Sequence, residues 1–120
     1  MDKLIYIASP YTHPDKEVVE ENYRRVSRYA AEIVSQGAVA LSPITYGHTL
    51  VGFKPMRTDW EFWTNFCLTM LSKCEEIHVL MIDGWDRSRG VAEEIEFAEK
   101  NGISIHYIKA EERWLSDQIN

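Results

Sequence analysis

Residues 77–98, IHVLMIDGWDRSRGVAEEIEFA, decide how the chain folds. The apolar run Ile77 to Ile82 stops at a Gly- and Asp-rich turn, and the turn opens directly into a carboxylate-laden helix. A short apolar run without strict alternation suits a strand covered on both faces, as in a parallel sheet. In such sheets ligands bind beyond the carboxyl ends of the strands, where the next helix presents free backbone N–H groups to anions. The segment from Asp83 to Ala98 therefore has the layout of a ligand site.

The same alternation recurs on either side. Leu4 to Ala8 reads as a buried strand ended by Ser9-Pro10, feeding a loop with Tyr11, Thr12, His13 and Pro14. Val19, Tyr23, Val26, Ala30, Ile33 and Val34 recur at helical spacing from about Asp15 to Gln36, with Gly37 as a C-terminal cap. Ala38 to Leu41 makes a second strand. Ser42 to Thr58 is long and rich in Gly and Pro, which predicts a binding loop or lid. Asp59 then caps a helix whose Trp60, Trp63, Cys67, Met70, Leu71 and Cys74 form one apolar stripe, read as core. A third helix runs from Gly90 to Asn101, a fourth strand from Ile103 to Ile108, and a short tail helix follows.

The order βαβαβαβα predicts one α/β domain over residues 1–120, a small doubly wound, Rossmann-like parallel sheet. Four strands in the order 2-1-3-4, with helices on both faces, put the switch point between strands one and three. That brings the Ser9 loop beside the Asp83 to Ser88 loop.

A net charge of -6 argues against nucleic-acid polymers and anionic membranes as partners, while leaving room for a small anionic ligand. No span approaches membrane length and the first apolar stretch is too short for a signal peptide, so a cytoplasmic location is expected. Cys67 and Cys74 lie too far apart on one helix for a disulfide. His13, His48, His78 and His106 are scattered, which gives no metal site, and no cofactor is expected.

Among the carboxylates of the third helix, Glu94 stands apart. Val91, Ile95 and Ala98 define the buried face, Glu93 and Glu96 fall opposite, and Glu94 lies roughly 60° from the apolar centre. Burial there raises its pKa and nearby helix N–H groups lower it, a balance compatible with an ionised nucleophile. The same position also suits a carboxylate that merely complements the helix dipole.

IYIASPYTH, the SPI…GH loop and GWDRSRGVAEEIEFA together resemble the nucleoside 2-deoxyribosyltransferase-like superfamily, most closely its small bacterial and phage branch. In that superfamily a Glu in an S/D-x-G-x-x-x-E pattern attacks the sugar anomeric carbon, and Ser88, Gly90 and Glu94 fill the pattern here. The resemblance implies that Tyr6 hydrogen-bonds the nucleophile, although a strand aromatic in the core reads equally well. Ser88 matches the nucleoside 5'-monophosphate N-glycosidases rather than the transferases, and a hydroxyl at a helix start suits a phosphate. It also reads as a plain N-cap.

The implied ligand is a nucleoside or its 5'-monophosphate, held by Ser9, Pro10, Tyr11, Asp83, Asp86, Ser88 and Gly90 in a chain expected to form a homo-oligomer, a dimer or tetramer. Trp85 and His48 are candidates to face the base, with a packing aromatic and a surface polar residue as the alternatives. An acidic residue that assists proton transfer in the superfamily aligns with Cys67. Asp59, Asp83 and Asp86 are the alternative donors.

Overall fold

Alternate residues of the two central strands face opposite ways, and this period of two builds two separate cores. A computed structural model describes residues 2–115. Strand β1 (Leu4–Ala8) pairs in parallel with β2 (Val39–Leu41) and with β3 (Glu76–Met81), and β3 pairs with β4 (Ser104–Lys109). The sheet is entirely parallel, in the order β2-β1-β3-β4.

Tyr6 and Ala8 of β1 and Ile77 and Val79 of β3 face one layer, formed by α3 (Trp60–Ser72) and α4 (Arg89–Lys100). Ile7 and Leu80 face the other, where Val26 and Tyr29 of α1 (Lys16–Ser35) and Trp114 of α5 (Glu112–Leu115) pack. Burying an aliphatic side chain of this size stabilises the fold by about 1.5–3 kcal/mol. Both layers are thus held by the central strands, which end side by side at the crevice.

Strict alternation fails at one place. The predicted loop at Ser42–Thr58 contains a helix, α2 (Pro43–Phe53). Ser42 has extended backbone and its side chain accepts from Thr45 N–H, while Pro43 occupies the first turn, where its missing N–H costs nothing. Gly47 and Gly52 lie inside the helix, and Gly47 is there for contact: a Cβ would come within 3.2 Å of the Trp63 ring. The tail helix is described only to Leu115.

Candidate active site

The crevice at the carboxyl ends of β1 and β3 leads into a cavity of about 90 Å³, opening into about 690 Å³ of empty space when its mouth is included. Its walls come from distant parts of the chain: Ser9, Tyr11 and Thr12 after β1, Ile44, Gly47 and His48 on α2, Trp60, Trp63 and Cys67 on α3, and Ser88, Gly90 and Glu94 on α4.

Glu94 is only 6% exposed and reaches the cavity from the inward face of α4. Tyr6 is fully buried, and its hydroxyl donates to Glu94 Oε2. It stands behind the carboxyl rather than in the wall, because β1 turns Tyr6 towards the α3–α4 layer.

Burial dominates the electrostatics. It pushes the Glu94 carboxyl up to about 8, with the Tyr6 hydrogen bond pulling the other way. The expected counterweight from helix N–H groups is too distant: Ser88 caps α4, which places Glu94 at the sixth helical residue, beyond the first turn. Free of ligand, Glu94 is therefore mostly protonated at neutral pH. Tyr6 is raised well above the usual phenol range by burial and then by the neighbouring Glu94 charge. Cys67 is pushed up to about 12 by burial and by Glu94, so it stays a neutral thiol.

The start of α4 presents a second polar surface. Ser88 Oγ accepts from Val91 N–H as an N-cap, which leaves its own O–H free to donate. Gly90 lines the cavity, and a Cβ there would come within 3.0 Å of the Trp60 ring. Across the crevice Ser9 Oγ is buried and, among the described residues, has no hydrogen-bond partner. A buried hydroxyl without a partner costs free energy unless something meets it.

Other candidates lie elsewhere. Trp85 packs against Tyr107, 5.8 Å between ring centroids, and against the α3–α4 core, outside the cavity wall. Asp83 and Asp86 are exposed and pair with Arg87. Asp59 caps α3 and pairs with Arg57 on the surface. Pro10 is buried near Gly84, so the Ser9 and Asp83 loops do meet, but Pro10 is not part of the wall.

The family model for a domain of unknown function, DUF1937, matches residues 3–110. The chain belongs to the DUF1937 family. No curated protein matches it.

Two aromatic walls of this DUF1937 domain were hidden in the apolar stripe of α3. Trp60 and Trp63 read as core, and both pack partly against it, yet both also line the cavity. The signal was at a distance: Gly90 and Gly47 are the small residues on which the two indoles lie. Among the described residues no cluster of His, Cys, Asp and Glu could hold a metal ion, and no helix is long and apolar enough to cross a membrane.

Proposed function

We propose that the protein cleaves the N-glycosidic bond of a nucleoside or nucleoside 5'-monophosphate, with Glu94 as the nucleophile at C1'. The observation that carries this reading is the Tyr6–Glu94 pair: a buried carboxyl, hydrogen-bonded by a buried phenol, at the wall of the cavity. A carboxyl pushed up to about 8 is costly to the fold and typical of a reacting group.

The surroundings suit the substrate. Trp60 and Trp63 offer flat apolar surface to a base, while Ser9, Ser88 and the first N–H groups of α4 offer donors to sugar or phosphate. Attack by Glu94 gives a glycosyl-enzyme that water resolves in hydrolysis, or a second base in transfer. The resemblance to the nucleoside 2-deoxyribosyltransferase-like superfamily supports the same roles for Tyr6 and Glu94. A cytoplasmic homo-oligomer accompanies this reading, and Phe53, 85% exposed on α2, gives such an assembly an apolar contact.

Cys67 favours a second reading, a nucleotide-binding module without turnover, because an un-ionised thiol occupies the position of the superfamily acid. Chromatography of free base released from ribo- and deoxyribonucleoside monophosphates, with and without an acceptor base, tests both. Release that vanishes in Glu94→Gln supports the enzyme. No release together with thermal stabilisation by a nucleotide supports the module.

A further inference from the structure

One side of the cavity holds a chain of three groups that the roles of Tyr6 and Glu94 leave unused. Tyr11 and His48 both line the wall. The Tyr11 hydroxyl lies 2.8 Å from His48 Nδ1, and His48 Nε2 lies 3.0 Å from Glu20 Oε1. The imidazole is fixed from several directions: it stacks on Tyr23 at 4.0 Å between centroids, and Tyr11 meets it edge-on at 5.8 Å. Buried Asn22 donates to the Tyr11 carbonyl at 3.3 Å and holds that loop to α1.

This is the order of groups that moves a proton: a carboxylate at one ring nitrogen, and at the other a hydroxyl that also faces the ligand space. Arg24 lies 3.9 Å from Glu20, so the charged or titratable groups around the imidazole are Tyr11, Glu20, Tyr23 and Arg24. Glu20 is half exposed, which lets the far end exchange protons with solvent.

We propose that Tyr11, backed by His48 and Glu20, is the proton donor to the leaving base, the role for which position 67 holds a thiol instead of the superfamily acid. This rests on the glycosidic-bond reading above. As Glu94 forms its bond to C1', the C1'–N bond breaks and leaves its electron pair on the base nitrogen. That nitrogen takes the Tyr11 proton. The Tyr11 oxygen is reprotonated from Nδ1 of a His48 imidazolium, leaving a neutral ring with Nε2–H on Glu20. In hydrolysis water gives hydroxide to C1' and its proton back along Tyr11 to His48, which restores the imidazolium and frees the Glu94 carboxylate.

Leaving-group chemistry tests the assignment. The full chain, Tyr11→Phe, Glu20→Gln and Glu94→Gln are assayed on deoxyribonucleoside 5'-monophosphates and on 4-nitrophenyl deoxyriboside 5'-phosphate, whose phenolate departs without a proton. Tyr11→Phe should lose about 100-fold in kcat on the nucleotides, the scale of one general acid, and less than about 5-fold on the aryl substrate. Glu20→Gln should show the same bias more weakly and, as a surface change, reads the relay even where Tyr11→Phe folds poorly. Glu94→Gln should lose both substrates.

Equal losses on the two substrates, or no loss on nucleotides, overturn the relay while leaving the glycosidase. A wild-type chain that cleaves only the aryl substrate overturns the relay and keeps the Glu94 nucleophile. A wild-type chain that cleaves neither overturns both.

Discussion

Replacing Glu94 by Gln should stabilise the protein, and by an amount that grows with pH. The carboxyl titrates near 4.5 when the chain is unfolded and at about 8 in the fold. Between those values the folded state holds a proton that the unfolded state has released, so wild-type stability falls as pH rises, by about 1.4 kcal/mol per unit. Below the unfolded value the penalty is absent, and above the folded value it is constant. At pH 7 the sum is roughly 2.5 such units, on the order of 3 kcal/mol.

Gln does not titrate, and its carbonyl can still accept from Tyr6. Glu94→Gln should therefore melt about 10 °C above wild type at pH 7, from roughly 3–5 °C per kcal/mol for a domain of this size. At pH 5 the gap should shrink to a few degrees. Circular dichroism melts of both proteins at unit steps from pH 5 to 8 make the measurement. A gap that stays constant with pH, or a variant less stable than wild type at pH 7, would refute a carboxyl held protonated by burial.

Three further outcomes follow from the same geometry. Because Glu94 must be ionised to attack, kcat/KM on the aryl substrate, whose leaving group needs no proton, should rise about tenfold per pH unit up to about 8 and then level, measured in steady-state assays. Tyr6→Phe removes the one hydrogen bond that lowers the Glu94 carboxyl, so that rising limb should move to higher pH, and an unmoved limb would separate the two groups. Ser42→Ala strips the buried N-cap of α2 and should cost about 1 kcal/mol in urea unfolding while weakening ligand binding at the His48 wall.

The sheet was legible because its strands announce themselves. Leu4–Ala8 is a short run ended by Ser9-Pro10, Ile77 to Ile82 is one ended by Asp83-Gly84, and helical periods lie between them. The α2 helix escaped because Pro43, Gly47, Gly52 and Pro55 read as loop chemistry, whereas Pro43 starts the helix and Gly47 makes room for Trp63. Glu94 was singled out by its angle on the wheel, but the inward face is centred nearer to it than the wheel put it: α4 buries Val91, Glu94 and Ala98 and leaves Ile95 only partly covered. The sign of its pKa shift depended on how far it sits from the helix start and on what surrounds it. The Tyr11–His48–Glu20 chain could not be read at all: its members are separated in sequence and meet only when α2 packs on α1.

A glutamate codon is a single base change from Gln, which would relieve the cost of the buried acid at position 94 and still accept from Tyr6. Random drift in a lineage with no use for the cavity should therefore remove this carboxylate early, since the change would be accepted for its gain in folding alone. Where an acid persists against that gradient, selection acts on what it does rather than on how well the chain holds together.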